Sequence, residues 1–409
     1  MKQYSIDKTY SLLRNRLEDY IKTNYLGKND ELRDMCKDIL ADSLCQVPYI
    51  EANPEYVSVK NGISENTVLT YEKPSLVAMC EKKLKVIDTP YVHQIKALEE
   101  YHNGKDLFVA TGTGSGKTEC FMWPMISSVM NERSNIPDSW SVRGVRALIL
   151  YPMNALVSDQ LSRLRKMIGD ENGEFHKICD ELRADARYPQ FGMYTGRTPY
   201  PGENSEKRNK ELASTLDKGL VKIDLAAKES LIDDGKYPSK YDLEAFIASV
   251  REGKHFTDKR DAEMITRQEI INNCPDILVT NYSMLQYMLI RPIEQPIWDS
   301  TKEWLDADKN NKILFIIDEA HMYKGAAGGE VALLIRRFMH KLGIDRSRLR
   351  FILTSASVPK DKKEDVEKFA CDLSASEYTK SNFVIITGEQ ESVDDSNALS
   401  HSAGVGAVS

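Results

Sequence analysis

The chain has 409 residues, of which 41% are hydrophobic and 29% are charged. This balance is typical of a globular protein with a sizeable core, and it excludes a wholly disordered or fibrous chain. The 55 basic and 62 acidic residues give a net charge of −7. That charge excludes a protein held on nucleic acid by bulk basic charge, although backbone amides and a few side chains can still grip phosphates.

Targeting and cysteine signals favour the cytoplasm. No apolar run approaches the roughly 18 residues of a membrane helix, and the charged start from Met1 to Arg16 lacks the apolar core of a signal peptide. The seven cysteines are odd in number, scattered and without a Cys-x-x-Cys pair, which indicates reduced thiols. We expect a cytoplasmic protein with no membrane partner.

Residues 1–85 predict a helical N-terminal appendage. Apolar residues recur at helical spacing over Tyr10–Ile21 and again over Leu32–Leu40. A cap packed on the main domain and an independent binding module both stay open, and the pattern reveals no function.

From about residue 86, short apolar runs alternate with helical stretches. The runs are Leu107–Ala110, Ala147–Leu150, Phe191–Tyr194, Ile277–Thr280, Ile313–Ile317, Phe351–Thr354 and Phe383–Ile386. This alternation predicts an α/β domain over residues 86–387, with a mostly parallel sheet and helices on both faces.

Two segments depart from this pattern. Residues 198–274 are rich in charge and predict a helical, largely exposed insert. Residues 388–409 contain no lysine or arginine and are rich in Ser, Ala and Gly. That composition is typical of a disordered tail.

The first strand runs into a glycine-rich loop. Leu107–Ala110 is followed by Thr111–Thr118 and by the helical stretch Glu119–Glu132, an order that predicts a phosphate-binding loop. Glycines let backbone amides curl around a phosphate, and the helix N-terminus favours negative charge. We expect ATP, with Lys117 at its β- and γ-phosphates and Thr118 on Mg²⁺. The predicted nucleotide ligands in the loop are Thr113, Gly114, Ser115, Gly116, Lys117 and Thr118.

An acidic motif follows a second buried strand. The run Ile313–Ile317 ends in Asp318, Glu319, Ala320 and His321. An aspartate at such a strand end can hold the hydration shell of Mg²⁺, and the adjacent glutamate can polarise the attacking water. We therefore predict Lys117, Asp318 and Glu319 as catalytic residues and Thr118 and Asp318 as metal ligands.

With these two motifs, the chain resembles the first RecA-like lobe of a superfamily 2 DEAD/DEAH-box helicase over residues 86–387, apart from the insert. The resemblance implies an ATP hydrolase with ATP and Mg²⁺ as cofactors and nucleic acid as partner. It also implies that Gln94 reads the adenine edge, since a glutamine amide can bond N6 and N7 of adenine together.

Further segments resemble the family's nucleic-acid loops. Tyr151–Gln160 is similar to motif Ia, Thr195–Arg197 to motif Ib and Thr280–Leu285 to motif Ic. In the family these loops hold the sugar-phosphate backbone of one strand, a task that suits amides, hydroxyls and an arginine. The implied nucleic-acid contacts are Pro152, Asn154, Ala155, Thr195, Gly196, Arg197, Thr280 and Asn281.

Thr354–Ser357 is similar to motif III, with Ser357 in place of the usual threonine. In the family this motif relays between the nucleotide site and the nucleic-acid site. The resemblance implies a coupling role for His321, Ser355 and Ser357.

A finer placement rests on other segments. Met322–Arg337, together with the motif Ia loop, is similar to the Lhr/MrfA-like branch of DNA helicases, which implies DNA. Gly192–Pro199 and the insert resemble large helicases of bacterial antiphage systems such as the Druantia type. The cysteine cluster of MrfA-like proteins has no match in this sequence.

Helicases of this superfamily close two RecA-like lobes on one ATP, and the second lobe supplies arginines. An arginine finger is worth about 10³–10⁵ in rate. The residues after Ser357 are too few for a second lobe, so we expect an incomplete motor completed by a missing C-terminal part or a partner chain. Two alternatives stay open, namely a motor subunit of a split translocase or restriction-type defence complex, and a non-catalytic nucleotide-sensing module. The intact Lys117, Asp318 and Glu319 argue against the sensor.

Overall fold

A computed structural model describes residues 6–25, 35, 55–60, 62–63, 74–112, 114–169, 173–199, 205–356, 363–377 and 382–390. Thr113 and Ser357 of the predicted site lie outside these ranges, as does the predicted tail from residue 391 onward. The backbones of Asn154 and Ala155 are described, whereas their side chains are not. None of the described helices is long and apolar enough to cross a membrane.

The chain divides into two compact units, residues 1–55 with 392–409 and residues 56–391. In the first unit, helix α1 (Ile6–Tyr25) covers the first stretch whose apolar spacing predicts a helix. The second such stretch lies outside the described residues apart from Met35. The boundary of the appendage at residue 85 stays a prediction.

The second unit alternates strands and helices. Its strands are β1 (Asp106–Ala110), β2 (Ala147–Tyr151), β3 (Phe191–Tyr194), β4 (Glu263–Met264), β5 (Ile277–Asn281), β6 (Ile313–Ile317), β7 (Leu349–Ser355) and β8 (Phe383–Thr387). Its helices are α2 (Pro74–Glu81), α3 (Val92–His102), α4 (Glu119–Asn135), α5 (Pro137–Ser141), α6 (Asn154–Ile168), α7 (Glu174–Arg183), α8 (Glu206–Leu216), α9 (Leu225–Asp233), α10 (Leu243–Arg251), α11 (Arg267–Asn273), α12 (Tyr282–Ile290), α13 (Gln295–Ala307), α14 (Ala326–Leu342) and α15 (Lys363–Leu373).

The described strands form one sheet in the order β4-β3-β5-β2-β6-β7-β1-β8. Every pairing in it is parallel. Parallel strands need crossover connections, which the intervening helices supply, and such sheets are covered on both faces. The α/β fold expected of a RecA-like lobe is confirmed.

Successive residues of each central strand enter different halves of the core. In β1, Leu107 and Val109 join a cluster that packs under α2–α7, whereas Phe108 and Ala110 join a cluster that packs under α11–α15. This follows from the two-residue period of a strand. Because both faces are buried, the strands are continuous apolar runs instead of alternating ones.

The segment 198–274 is helical as expected, yet the expectation that it is largely exposed is wrong for its second half. Phe246, Ile247 and Val250 of α10 are buried against Ala213 and Leu216 of α8. Residues 261–266 are buried and include β4, which pairs with β3 at the sheet edge. The segment therefore has a small core of its own and extends the sheet by one strand.

Candidate functional site

The parallel sheet brings the predicted motifs to one edge, because the carboxyl ends of parallel strands point the same way. The strand order then divides this edge into two halves. The phosphate loop, the acidic motif and the motif III segment follow β1, β6 and β7, which are neighbours. The motif Ia, Ib and Ic segments follow β2, β3 and β5, which are neighbours on the other side.

The phosphate loop connects β1 to α4. Gly114 and Gly116 have φ values of 78° and 72°, a left-handed region that glycine adopts without a steric cost. A Cβ on Gly116 would also lie 2.2 Å from Nε2 of Gln94. Ser115 is buried and donates a hydrogen bond to Oγ1 of Thr111 at 2.6 Å. The loop thus has a fixed shape at the N-terminus of a 17-residue helix, where an anion is favoured.

Lys117 extends from the phosphate loop to the acidic motif. Its Nζ lies 3.5 Å from Oε1 of Glu319, and both side chains are partly buried. Glu319 has a φ of 52°, an uncommon conformation for a residue other than glycine that is frequent at functional sites. The structure therefore brings together the lysine and the glutamate that the sequence predicts as catalytic.

Asp318 is buried beside them and is fixed by β7. The hydroxyl of Thr354 donates to its Oδ1, and the backbone N–H of Glu319 lies 3.1 Å from the same oxygen and 3.3 Å from Oγ1 of Thr354. Burial raises the pKa of the Asp318 carboxyl, and the Thr354 hydrogen bond opposes that rise. The prediction missed Thr354 as a positioning residue, although the residue precedes the predicted Ser355.

The residues present fit a magnesium ion bound together with a nucleotide. The two hydrogen bonds that described residues make to the Asp318 carboxylate both use Oδ1, so none of these residues occupies Oδ2, which can face a cation or its water. Thr118 at the start of α4 offers a hydroxyl, and hard oxygen ligands of this kind suit Mg²⁺. No cluster of three or more His, Cys, Asp or Glu able to hold a metal occurs among the described residues.

His321 connects the acidic motif to the loop after β7. Its Nδ1 lies 3.2 Å from Oε2 of Glu319 and 3.5 Å from the backbone nitrogen of Ala356. Ser355, the neighbouring coupling candidate, is buried at the end of β7. The third candidate, Ser357, lies outside the described residues.

Gln94 contacts the phosphate loop. Its Oε1 accepts from the backbone N–H of Tyr91 at 2.9 Å, and its Nε2 donates to the carbonyl of Gly116 at 3.1 Å. The neighbouring His93, which the prediction did not include, bonds the carbonyl of Ser115 through Nε2 at 2.8 Å. Burial lowers the pKa of His93. The amide of Gln94 therefore uses both of its polar atoms within the protein, one of them on the loop, and its predicted reading of adenine stays a prediction.

The nucleic-acid candidates separate into exposed and buried groups. Gly196 and Arg197 are exposed after β3. Thr195 and Thr280 are buried, and the Thr280 hydroxyl donates to the carbonyl of Tyr194 at 2.7 Å. The Thr280 hydroxyl therefore joins β5 to β3, whereas the Thr195 hydroxyl accepts from the backbone N–H of Arg197 at 3.2 Å within the loop after β3.

The other candidates lie at helix N-termini. Asn281 caps α12 by accepting from the N–H of Met284 at 2.8 Å. Pro152 precedes α6, which begins at Asn154. Arg163 of α6 bonds Glu119, the first residue of α4, at 2.9 Å. The helix beginning at the motif Ia segment is therefore connected to the helix that follows the phosphate loop.

The comparisons with known proteins point to one family. The sequence model of the DEAD/DEAH box helicases matches residues 91–196 and 242–366, more than half of the chain. Druantia protein DruE of Escherichia coli (strain UMEA 4076-1) is 42% identical over 424 residues, covering 96% of this chain and 23% of DruE. An uncharacterised ATP-dependent helicase of Methanocaldococcus jannaschii is 24% identical, covering 68% of this chain and 27% of that protein. The chain spans about a quarter of the length of these relatives.

Two of the solved structures with detectable similarity are described as helicases. The DUF1998 helicase MrfA bound to DNA and AMPPNP is 19% identical with a TM-score of 0.43, covering 86% of this chain and 33% of MrfA. The DEAD-box helicase Mss116 bound to ssRNA and UDP-BeF is 13% identical with a TM-score of 0.40, covering 83% of this chain and 46% of Mss116. Because the family model matches more than half of its residues, this chain belongs to the DEAD/DEAH box helicase family.

Proposed function

We propose that the chain is the ATP-binding lobe of a nucleic-acid-dependent ATPase that couples ATP hydrolysis to translocation or strand separation. The observation that carries this proposal is the 3.5 Å contact between Nζ of Lys117 and Oε1 of Glu319. It joins the phosphate loop and the acidic motif across one edge of the sheet, where a triphosphate and its attacking water would have to meet.

The residues divide the chemistry between them. Lys117 exchanges Glu319 for the β- and γ-phosphates, and this exchange frees the Glu319 carboxylate to orient and polarise a water. Thr118 and Asp318 would hold Mg²⁺. Bound Mg²⁺ neutralises charge on the phosphate oxygens during the transfer. Thr354 keeps the Asp318 carboxylate at the strand end through its hydroxyl.

We propose that DNA is the nucleic acid and that it crosses the half of the edge formed by β2, β3 and β5. The exposed Arg197 and the backbone N–H groups at the starts of α6 and α12 support this path, because such groups bind phosphates without reading bases. The similarity to the Lhr/MrfA-like branch favours DNA over RNA.

The roles of Lys117 and Glu319 can be separated by two variants. We expect K117A to abolish binding of ATP, since it removes the cation that meets the phosphates. E319Q should keep the binding and lose hydrolysis by at least about 100-fold, in line with loss of general-base catalysis. Binding of ATP to purified protein and its turnover should be measured in parallel. Equal hydrolysis by E319Q and wild type would show that Glu319 does not activate the water.

We further propose that a second RecA-like lobe, from a longer polypeptide or a partner chain, completes the site. In the described part of the chain, no arginine contacts Lys117, Asp318 or Glu319. Charge on the transferring phosphoryl group would then need an arginine from elsewhere, an addition worth about 10³–10⁵ in rate.

The biological role we propose is antiphage defence, supported by 42% identity to Druantia protein DruE. Bacteria that carry the full-length protein with its neighbouring genes should form fewer plaques on infection than bacteria that carry the K117A variant. Equal plaque numbers across a panel of phages would contradict this role.

A further inference from the structure

Residues 56–59 lie between two parts of the second unit that are distant in sequence. On one side, the N–H of Val57 donates to the carbonyl of Glu389 at 2.9 Å, and Tyr56 forms an antiparallel bridge with Gln390. On the other side, the N–H of Val92 donates to the carbonyl of Val57 at 2.9 Å. This short segment therefore connects the residues that leave the sheet after β8 to the start of α3.

Tyr56 also contacts the phosphate loop directly. The backbone N–H of Gly112 donates to its hydroxyl oxygen at 3.1 Å. Its ring lies edge-on to His93, with centroids 5.3 Å apart, and His93 holds the carbonyl of Ser115. Tyr56 thus supports the beginning of the loop through its hydroxyl and the middle of the loop through His93.

The ring of Tyr56 also packs closely against the segment after β8. A Cβ placed on Gly388 would lie 2.3 Å from Cε1 of Tyr56, so the backbone at Gly388 touches the ring with no room for a side chain. One side chain is therefore packed against Gly388 and hydrogen-bonded to Gly112 at once. A displacement of either segment has to move Tyr56 or break one of these contacts.

We propose that Tyr56 is a positioning residue that couples nucleotide occupancy of the phosphate loop to the pairing of residues 388–390. The inference rests on the proposed function, since it takes a nucleoside triphosphate as the ligand of the loop. Binding of the phosphates draws the loop amides toward the ligand, which changes the Gly112 contact and, through the tyrosine, the strand-like pairing of Glu389 and Gln390.

The test compares wild type with Y56F in the 409-residue chain, using the fluorescent analogue mant-AMPPNP with Mg²⁺. Y56F keeps the ring against Gly388 and removes the acceptor of the Gly112 N–H. Loss of one such hydrogen bond should weaken analogue binding about fivefold. Y91F serves as the control, because it removes a hydroxyl from a neighbouring ring, 5.7 Å away between centroids, and it should bind like wild type.

A second measurement separates coupling from simple support. The amide of Val57 reports the pairing with Glu389, so its hydrogen exchange should change on addition of the analogue in wild type and in Y91F. In Y56F at a saturating analogue concentration, that change should be lost while the melting temperature is kept. If Y56F bound the analogue as tightly as wild type and the Val57 amide showed the same change in exchange, the proposed coupling would be wrong and the proposed function would be unaffected. Failure of wild type to bind the analogue would overturn the proposed function as well.

Discussion

Asp318 combines burial with a proposed role as a magnesium ligand, which requires a negative charge. The carboxyl is largely removed from water, which raises its pKa, and the nearby Glu319 carboxylate adds to the rise. The Thr354 hydroxyl and Lys117 act in the opposite direction. An ionised carboxylate in this position lowers the stability of the folded protein, a trade that is frequent at active sites and agrees with the role we propose for Asp318.

The cost of the Asp318 charge should depend on pH. A carboxyl whose pKa is raised by folding destabilises the protein above its ordinary pKa of about 4, and the cost disappears as pH falls through the raised value. We expect D318N to melt at a higher temperature than wild type at pH 8, with a difference that shrinks as the pH falls toward the ordinary carboxyl pKa of about 4. Circular dichroism at a series of pH values measures this difference.

Asp345 provides a matched control, because its pKa is shifted in the opposite direction to that of Asp318. Hydrogen bonds from Ser347 lower the pKa of this exposed carboxyl, so ionised Asp345 favours the fold at neutral pH and loses that advantage as pH falls. D345N should therefore melt slightly lower than wild type at pH 8. If D318N raised the melting temperature by the same amount at every pH, the charge of Asp318 would not be the cause of the increase.

Thr354 should matter for turnover more than for binding. T354V keeps the branched shape and removes the hydroxyl that fixes Asp318. We expect its maximal ATP turnover to fall by about 10–100-fold, as is usual when a partner that orients a metal ligand is lost. T354S retains the hydroxyl and should recover most of the activity. A steady-state titration with ATP at saturating Mg²⁺ measures the maximal turnover of both variants. Equal turnover by T354V and T354S would show that the Thr354 hydroxyl does not position Asp318.

At the scale of elements, the segment between β3 and β5 is held by buried charge. Lys240 contacts Asp261 at 2.8 Å and also contacts Glu269, and all three side chains are almost fully buried. Burial raises the pKa of Glu269, and the lysine opposes it. Lys240 lies in the loop before α10, Asp261 in the stretch before β4 and Glu269 in helix α11. The cluster therefore holds these three parts of the segment together.

Removing the lysine should destabilise this segment strongly. K240M leaves two buried carboxylates without their cation, and breaking a buried pair in this way costs about 3–5 kcal/mol. K254M, which disrupts the exposed pair with Glu252, should change the free energy of unfolding by less than about 0.5 kcal/mol. Urea titrations of both variants give the comparison. If K240M changed the free energy of unfolding by as little as K254M does, the buried cluster would not hold the segment in place.

The elements that could be predicted are those whose signal is local. The seven predicted strands are all present, because each buried strand is a continuous apolar run. The two-residue β4 carries no such run and depends on pairing with β3. In the site, the loop and acidic motif are local patterns, whereas the functions of Thr354 and His93 depend on contacts across the fold. The burial of Thr195 and Thr280 is likewise set by strand neighbours and is invisible in the sequence.

At the scale of the whole molecule, the strand order separates two tasks. Loops after β1, β6 and β7 form the proposed nucleotide half of the edge, and loops after β2, β3 and β5 form the proposed nucleic-acid half. Adjacent strands β2 and β6 join the halves. The Arg163–Glu119 contact is a second link, between the helix after the phosphate loop and the helix after β2.

The isolated chain should be a weak enzyme. We expect the 409 residues to bind ATP·Mg²⁺ weakly and to hydrolyse it slowly, without strand separation, because the arginines of a second lobe are not part of the described site. ATP turnover with and without single-stranded DNA, and a strand-separation assay, measure this. The chain assayed together with the proposed second lobe serves as the positive control. DNA-stimulated turnover and strand separation by the isolated chain would contradict the expectation.

The position of β1 between β7 and β8 has a consequence for how the protein is made. Leu107 pairs with Ile352 on one side and with Val384 on the other, so the strand before the phosphate loop leaves the ribosome long before its partners do. Contacts so distant in sequence form late and slowly. The strand β1 can therefore be paired on both sides only after residues 349–387 have been synthesised, and an apolar strand that lacks its neighbours is prone to aggregate in the meantime.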